Sequence, residues 1–454
     1  MTVNISPETK MAKIEDWDAN EFMKGTKSSY VVDGDIISRE NLQKMLNETK
    51  YSVASNGVMY DTTKPGCIPD ILDLWFNQRV EFRKLEKKFG EEGDKEKYAF
   101  YKKRQLVQKI LLNSLYGVLG LPAFRFYDVD NATAVTLTGQ TVIKSTAEMA
   151  NIKYNKELGT KGQDFNIYID TDSVFFSAVP ILDHRYKDWR TLSDDEIALK
   201  VDTIAGETQD FLNNFYDMLS ERVFNVAKEK HRFQIKKEFV SRSGIWIAKK
   251  RYAQWIIAEN GVPMDRLDVK GLDVVRSSYP AQFRKFMSTV LIDILKGKTE
   301  TELTDMIYDF KKSLSTMDVV SVAKNSAVKE LSKYVPKKAT AMFQFVSATP
   351  AHVKAALAHN QLLVHFKCGS KYEPMKDGDK VKWVYLKQNP YGLDGLAFKG
   401  YDDAPEIMDL VKTYIDYDKI FERELLKKLE DFYGALGWGE VLSSAKTAEQ
   451  FFAF

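Results

Sequence analysis

Residues 165–179 read FNIYIDTDSVFFSAV, and this stretch decides the fold class of the chain. Its first half alternates apolar with polar or aromatic residues, and its second half is rich in valine and phenylalanine. Both patterns predict β-strands. Residues 170–173, Asp-Thr-Asp-Ser, lie between them, so we expect a β-hairpin that carries two carboxylates at its turn.

The two carboxylates of this turn, Asp170 and Asp172, repel each other unless a cation neutralises them. Oxygen ligands of this kind suit Mg²⁺, which usually takes one or two protein carboxylates together with phosphates and water. The alternative is a solvated acidic turn, which is the commoner explanation of an isolated Asp-x-Asp pair. The flanking apolar strands favour the metal site, because they bring the turn out of a buried sheet.

Upstream of the acidic hairpin, two long helical patterns predict an antiparallel helical hairpin. The first begins at Pro69 and stops at Gly90, a turn follows over residues 90–94, and the second runs from about Lys95 to Gly117. A further helix is expected over residues 133–155. Strand-like segments follow at 244–258, and helices dominate again from about 281, so the order of elements predicts an α+β fold.

The helical hairpin carries basic residues at helical spacing. On the first helix these are Arg79, Arg83 and Lys87, and on the second helix the polar stripe is Lys102, Gln105, Lys109, Asn113 and Tyr116. Cationic stripes on antiparallel helices suit a triphosphate. A solvated charged face is the alternative. Asn113, Tyr116 and Gly117 favour binding, because they are able to touch a base pair and a purely solvating face does not call for them.

A third cluster of charge lies within the strand-like segment at 244–258. Lys249, Lys250 and Arg251 are adjacent there and are followed by Tyr252. Three neighbouring basic residues suggest contact with phosphates. A polar strand edge that blocks strand addition explains the same residues equally well, so the cluster alone leaves both interpretations open.

The composition excludes several classes of protein. The chain has 454 residues, of which 44% are hydrophobic and 12% aromatic, so it is not disordered and has room for two or three packed units. Its two cysteines exclude a disulfide framework and a four-cysteine zinc site. No apolar run approaches the roughly 18 residues that a membrane helix requires. The net charge of +2 is uninformative about nucleic acid, so the charge clusters matter more than the sum.

Taken together and in this order, three motifs resemble the family B DNA polymerases, in particular the replicative polymerases of T-even-type bacteriophages. The motifs are KILLNSLYG at 109–117, YIDTDS at 168–173 and KKRY at 249–252. Four shorter stretches are also similar to that group: NGVMY at 56–60, FNQR at 76–79, KGLD at 270–273 and NPYG at 389–392. The resemblance spans nearly the whole chain.

The resemblance implies a polymerase right-hand architecture of α+β class that lacks the N-terminal and exonuclease domains. Such a fold has a helical fingers hairpin, an antiparallel β palm and a mainly helical thumb. The implied divisions are an N-terminal palm-associated segment at 1–68, fingers at 69–117, palm at 118–280, thumb at 281–446 and a clamp-binding tail at 447–454.

Roles for single residues follow from the same resemblance. It implies two Mg²⁺ ions, or Mn²⁺ in their place, with Asp172 as the main ligand, Asp170 assisting and Glu238 as a third carboxylate near the site. It implies that the incoming deoxynucleotide is bound by Arg79, Arg83, Lys109, Asn113 and Tyr116, with Lys109 also taking part in catalysis. It implies that DNA is contacted by Gly117, Lys249, Lys250, Arg251, Tyr252 and Lys270.

One motif of these polymerases is missing. They have an Asp, two residues and then Ser-Leu-Tyr-Pro upstream of the fingers, and this Asp is the other shared metal ligand. The nearest match, DVVRSSYP at 273–280, is one residue too long and follows the metal hairpin, so we reject it. Residues 3–9, VNISPET, resemble the sequence that comes directly after the missing motif, so we expect the chain to start just past it.

Two-metal phosphoryl transfer needs ions that clamp both the attacking and the leaving oxygen, and one aspartate cluster does not place both. We therefore expect a split polymerase, in which an N-terminal polymerase and exonuclease polypeptide supplies the missing strand through a large obligate interface. The alternatives are a non-catalytic, DNA-binding scaffold and a fragment of one longer polymerase.

The last residues form an aromatic tail with Gln450, Phe451, Phe452 and Phe454. It either folds back onto the thumb or docks in an apolar pocket of a partner. The resemblance favours a sliding clamp as that partner. It also implies that primer–template DNA and deoxynucleotides are the substrates and that the protein does not associate with a membrane. It further implies a virus-encoded enzyme that acts in the cytoplasm of a bacterial host.

Overall fold

The computed structural model describes residues 4–336 and 342–441. It divides the chain into two compact units, Met1–Glu238 and Phe239–Phe454. Both units combine helices with small antiparallel sheets, which confirms the predicted α+β class. No helix in the described ranges is long and apolar enough to cross a membrane.

Over residues 4–238, the first unit contains seven strands in three sheets. The strands are β1 (Lys10–Lys13), β2 (Ser29–Val32), β3 (Asp35–Ser38), β4 (Tyr51–Val53), β5 (Val58–Asp61), β6 (Asn166–Asp170) and β7 (Ser173–Phe176). β1, β5 and β4 form a three-stranded sheet in that order, whereas β2–β3 and β6–β7 are two-stranded hairpins. All the pairings are antiparallel.

Helices make up most of the rest of the first unit. They are α1 (Ala19–Lys24), α2 (Arg39–Thr49), α3 (Cys67–Glu91), α4 (Lys95–Val118), α5 (Val129–Leu158), α6 (Val179–Arg185) and α7 (Asp194–Phe224). Local sequence explains several of their starts. Ser193 and Glu196 form a reciprocal capping box at the start of α7, and Asp128 accepts a hydrogen bond from a backbone N–H at the start of α5.

The small N-terminal sheet is fixed to α5 by the NGVMY stretch. The buried Tyr60 hydroxyl donates a hydrogen bond of 2.8 Å to Asn131 Oδ1, and the Asn56 amide donates to the carbonyl of Asp130 at 2.9 Å. Gly57 has φ +82°, and a Cβ there would lie 2.1 Å from the carbonyl oxygen of Ile14, so only glycine fits. This stretch is therefore a packing motif of the first unit.

α3 and α4 form the predicted helical hairpin, and their bounds differ from the prediction by at most two residues. Only the base of the hairpin is packed, through Ile68, Leu72 and Leu119, while α4 has no buried residue. Towards the tip, Phe89 stacks on Tyr101 with ring centroids 5.5 Å apart. Beyond its base, most side chains of the hairpin are exposed or half-buried.

Within residues 239–336 and 342–441, the second unit contains six strands and seven α-helices. The strands are β8 (Phe239–Ala248), β9 (Arg251–Glu259), β10 (Val262–Lys270), β11 (Lys324–Ala327), β12 (Lys380–Tyr385) and β13 (Gly395–Phe398). The helices are α8 (Ala281–Leu295), α9 (Glu300–Ser313), α10 (Val319–Val322), α11 (Ala351–His365), α12 (Pro405–Tyr414), α13 (Tyr417–Phe421) and α14 (Lys427–Leu436), with a π-helical turn at Glu422–Leu426.

Two three-stranded antiparallel sheets organise this unit. β10, β9 and β8 form a meander in that order, and β11, β12 and β13 form the second sheet. The strand-like segments predicted at 244–258 lie in two strands, β8 and β9, with the basic residues Lys249 and Lys250 at the turn between them. The division between the two units falls inside the stretch assigned to the palm, so the limits of palm and thumb stay predictions.

A buried hydrogen-bonded pair, His359 and Asp403, holds α11 to the loop before α12. His359 is fully buried, and its Nε2 lies 3.0 Å from both carboxylate oxygens of Asp403. The backbone N–H groups of Lys399 and Ala404 also donate to this carboxylate. Burial raises the pKa of Asp403, but the bonds from His359 and the backbone outweigh it, so its pKa lies below the usual value.

Replacing Asp403 by asparagine is expected to lower the free energy of unfolding by about 1–3 kcal/mol, because a buried charge-assisted network loses its anion. Asp402→Asn is the matched control, since Asp402 is exposed beside it, and it should stay within about 0.5 kcal/mol of wild type. Denaturant unfolding of both variants measures the difference. Equal losses in the two variants would contradict a special role for the buried pair.

Candidate functional site

The acidic hairpin is present where the sequence predicts it. Asp170 ends β6, Ser173 begins β7, and Thr171 and Asp172 form the two-residue turn. Thr171 has φ +51°, the Asp172 N–H donates to the carbonyl of Asp170 at 2.6 Å, and Ser173 Oγ donates to the same carbonyl at 3.1 Å. The exposed Asp172 therefore projects at the tip, whereas Asp170 is half-buried.

The donor chemistry of this turn fits a hard cation. Asp170 and Asp172 offer only oxygen ligands, and Mg²⁺ needs no more than one or two protein carboxylates when phosphates and water complete its shell. Within residues 4–336 and 342–441, however, no group of three or more ligating side chains is present. Glu238 is exposed and does not join the two aspartates in such a group, so its metal role stays a prediction.

Arg79 and Lys109 lie on one side of the helical hairpin. Gln108 Nε2 on α4 donates to Gln78 Oε1 on α3 at 2.5 Å, which sets the level at which the two helices meet. Arg79 and Lys109 each follow one of these glutamines. Because a step of one residue turns about 100° and the helices are antiparallel, both side chains are carried to the same side of the hairpin.

Arg79 is the most constrained member of this cationic side. It is half-buried, and its Nε has no hydrogen-bond partner among the described residues. Burial, with a smaller contribution from the charge of Arg83, lowers the pKa of Arg79. A half-buried guanidinium that makes no ion pair with a described carboxylate is able to donate hydrogen bonds to an anionic ligand without breaking an existing ion pair.

The remaining predicted nucleotide residues are open to solvent. Arg83, Lys109 and Asn113 are exposed, and in the part of the chain that the structure describes neither Arg83 nor Lys109 makes an ion pair. Tyr116 is also exposed. A Cβ built on Gly117 would meet no atom within 4 Å. The base of α4 thus leaves room for another molecule against Tyr116 and Gly117.

The start of α3 is fixed by a residue that the sequence did not reveal. Gly66 caps the helix without a side chain, and the Glu8 carboxylate instead accepts a hydrogen bond from the Cys67 N–H, 59 residues away in sequence. Ser6 Oγ also donates to Glu8 at 2.7 Å. Burial opposes ionisation here, but these bonds outweigh it and lower the pKa of Glu8 to about 2.

The Glu8 cap predicts a loss of stability in acid. Its pKa falls from 4.5 in the unfolded chain to about 2 in the folded one, so its contribution is complete above 4.5 and is lost as the pH falls towards 2. The difference in unfolding free energy between wild type and Glu8→Gln should therefore shrink across this range. Glu15→Gln, at an exposed glutamate, is the control. A pH-independent Glu8→Gln difference would contradict the cap.

In the second unit, the KKRY motif forms the turn between β8 and β9 and the start of β9. Lys249 and Lys250 are exposed, whereas Tyr252 is buried. Arg251 pairs with Asp431 of α14 at 2.9 Å, and Lys270 pairs with Asp268 at 3.2 Å. Contact of Arg251 and Lys270 with DNA therefore requires these ion pairs to be shared or exchanged.

The rejected aspartate lookalike at 273–280 is structural in this unit. Asp273 forms ion pairs with Lys428 and with Arg276, the latter at 3.1 Å. Tyr279 is buried and its hydroxyl donates to the carbonyl of Glu424. A carboxylate that is already neutralised twice is a poor candidate for a catalytic metal ligand.

Comparison with known proteins identifies the family. The family model of DNA polymerase family B matches residues 2–184 and 201–434, which is most of the chain. The chain belongs to DNA polymerase family B. The acidic hairpin, the cationic side of the helical hairpin and the KKRY turn all lie within the matched ranges.

Individual family B relatives are distant but similar over long stretches. A DNA-directed DNA polymerase of Enterobacteria phage T4 is 25% identical over 94% of this chain and 51% of its own length. The corresponding enzyme of Escherichia phage RB69 is 26% identical over 73% of the chain and 37% of its own length. A DNA polymerase of Thermococcus gorgonarius is 24% identical over 90% and 43% respectively. The chain therefore spans about half or less of each of these relatives.

Within this family B chain, the structure brings together some of the predicted site residues. Arg79 and Lys109 share one side of the helical hairpin, and Asp170 and Asp172 share one turn. The KKRY residues form a separate turn in the second unit. The tail residues Gln450, Phe451, Phe452 and Phe454 lie outside the described residues, so clamp binding stays a prediction.

Proposed function

We propose that this chain is the C-terminal part of a split DNA-directed DNA polymerase of T-even type. It adds a deoxynucleotide to a primer 3′-hydroxyl on a DNA template. The hydroxyl oxygen forms a bond to the α-phosphorus, and pyrophosphate leaves. The observation that carries the proposal is the cationic side of the fingers hairpin, Arg79 and Lys109 at one level, in a family B chain that also has the Asp172 turn.

Each cluster has a defined part in this reaction. Arg79, Arg83 and Lys109 bind the triphosphate and neutralise the charge that develops on its phosphates. Asn113, Tyr116 and Gly117 form the surface under the nascent base pair. Lys249, Lys250 and Tyr252 hold the primer strand, with Arg251 and Lys270 beside them.

Asp172, assisted by Asp170, would hold Mg²⁺ or Mn²⁺, which supplies Lewis-acid stabilisation of phosphate oxygens when bound. No group of three or more ligating side chains is present in residues 4–336 and 342–441, and two metal ions require more ligands than the two carboxylates of this turn. We infer that a further aspartate comes from a polypeptide segment outside these 454 residues. In the split form of the proposal, that segment belongs to a partner chain that also carries the exonuclease.

Exposed apolar side chains support the need for such a segment. β6 and β7 form only a two-stranded sheet, and a lone hairpin is marginally stable in water. Ile167 and Ile169 of β6 remain 46% and 37% exposed. Other exposed apolar residues of the same unit include Leu137 and Ile152 of α5 and Val179 of α6. A strand and its domain packed on this region would remove these side chains from water.

Primer extension tests the proposal. The purified chain is assayed with Mg²⁺, primer–template and deoxynucleotides, alone and mixed with the polypeptide encoded immediately upstream. Extension by the mixture only is expected. Extension by the chain alone would contradict the need for a further carboxylate. Binding of both DNA and partner without any extension would favour a DNA-binding scaffold.

Binding of the two polypeptides tests the position of the interface. Ile169→Lys should weaken their association, because it places a charge in the apolar region beside the acidic turn. Ile36→Lys is the matched control, since Ile36 of β3 is 80% exposed and its replacement should leave association unchanged. Equal effects of the two variants would place the interface elsewhere.

The proposal also includes a sliding clamp, which the aromatic tail binds. The place of action is the cytoplasm of a phage-infected bacterial host. Deleting residues 447–454 should leave distributive extension unchanged and abolish stimulation by the clamp. Clamp stimulation that survives this deletion would contradict the role of the tail.

A further inference from the structure

The two turns of the β8–β9–β10 meander differ in a way that the fold alone does not explain. Asn260 and Gly261 join β9 to β10 with φ +51° and +78°, and Asn-Gly is the favoured pair for a two-residue hairpin turn. Lys249 and Lys250 join β8 to β9, and Lys250 has φ +62°. A lysine in this left-handed region is disfavoured by its Cβ, so the backbone of this turn is strained at Lys250.

The strained turn is supported from the side by Gly271. Lys270, the last residue of β10, pairs with Tyr252 of β9, which places Gly271 beside the turn. Gly271 has φ +66°, and a Cβ there would lie 1.9 Å from the carbonyl oxygen of Lys250 and 3.0 Å from its carbonyl carbon. Only glycine allows this approach.

A second contact holds the strand that leaves the turn. Trp246 lies opposite Tyr252 in the β8–β9 register and stacks on it, with ring centroids 6.2 Å apart and an interplanar angle of 21°. Its ring also covers Gly244, where a Cβ would approach within 2.4 Å. Because Tyr252 and Gly271 are both fixed, the peptide group of Lys250 has little freedom to reorient.

We propose that Gly271 is a positioning residue that holds the strained Lys250 turn and thereby aims the Lys250 side chain at a phosphate of the primer strand. The inference rests on the proposed function, in which the KKRY segment holds the primer. It adds a residue that itself contacts no DNA. Strained backbone is retained where the surrounding contacts and a function require it, and Gly271 provides the contact.

A double-mutant cycle tests this role. Binding of a fluorescent primer–template duplex to the full chain is measured by anisotropy for wild type, Gly271→Ala, Lys250→Ala and the double variant, at several salt concentrations. Each single replacement should weaken binding by about tenfold, as loss of one charged hydrogen bond does. It should also reduce the salt slope by about 1. The double variant should bind no more weakly than Lys250→Ala alone.

Gly261→Ala is the matched control for backbone strain. Gly261 has φ +78° but no atom within 4 Å of a built Cβ, so alanine there brings the same strain without displacing the Lys250 turn. Its duplex affinity should equal that of wild type. A loss equal to that of Gly271→Ala would overturn the positioning role.

A stability measurement keeps the inference testable if Gly271→Ala does not fold. Lys250→Gly removes the left-handed strain, so it should raise Tm while weakening duplex binding. A variant no more stable than wild type would contradict the strained lysine. If the effects of Gly271→Ala and Lys250→Ala multiply, the positioning role is wrong and the proposed function stands. If the wild-type chain binds no duplex, the proposed function itself fails.

Discussion

Replacing Asp172 by asparagine is expected to reduce primer extension by about 10³-fold. Its carboxylate is exposed at the tip of the β6–β7 turn, and asparagine keeps its size while removing the charge that a divalent cation needs. Metal stabilisation of a developing phosphate charge is worth several kcal/mol, and each 1.4 kcal/mol is tenfold in rate. The measurement is single-turnover extension with Mg²⁺, in the mixture of polypeptides that supports activity.

Asp170→Asn is the informative comparison in the same turn. Asp170 is half-buried and its carboxylate accepts a hydrogen bond from Thr171 Oγ1 at 3.1 Å, so we expect a smaller loss of rate from this change. Both variants should bind primer–template as wild type does, which separates lost chemistry from lost binding. Near-normal extension by Asp172→Asn would remove this turn from the catalytic site.

Local sequence patterns predicted the elements that carry the candidate site. The helical hairpin was visible because its apolar and basic residues recur at helical spacing and its turn contains glycines. The acidic turn was visible because the helical period of 3.6 in the preceding segment gives way to a strand period of 2 in the two segments that flank the turn. Both depend on residues close in sequence, which is why α3, α4, β6 and β7 lie within a few residues of their predicted bounds.

Contacts between distant residues could not be predicted in the same way. Glu8 caps α3 across 59 positions, and His359 meets Asp403 across 44. Neither residue belongs to a periodic pattern, so nothing local distinguishes it from an ordinary surface side chain. The KKRY turn lies between these cases. Its basic residues and the strand-like segments around them were evident, but the tight turn that pairs those segments was not.

Replacing Lys109 by alanine is expected to lower the rate of nucleotide addition by roughly 10²–10³-fold and to raise the nucleotide KM. Lys109 is exposed and makes no ion pair within the described residues, so its charge is available to the triphosphate. A fixed positive group beside phosphates acts most strongly as charge develops in the transition state, which is why kcat should fall together with affinity. Steady-state extension over a range of nucleotide concentrations separates the two effects.

Lys103→Ala is the matched control on the same helix. Lys103 is exposed and lies six residues before Lys109, and at about 100° per residue its side chain leaves the helix in a direction roughly 120° away. It therefore tests net charge without touching the cationic side of the hairpin. If both alanines reduced kcat equally, general electrostatic attraction would explain the basic residues. If Lys109→Ala and Arg79→Ala both cause a large loss of kcat and Lys103→Ala does not, the triphosphate is held between α3 and α4 on that side.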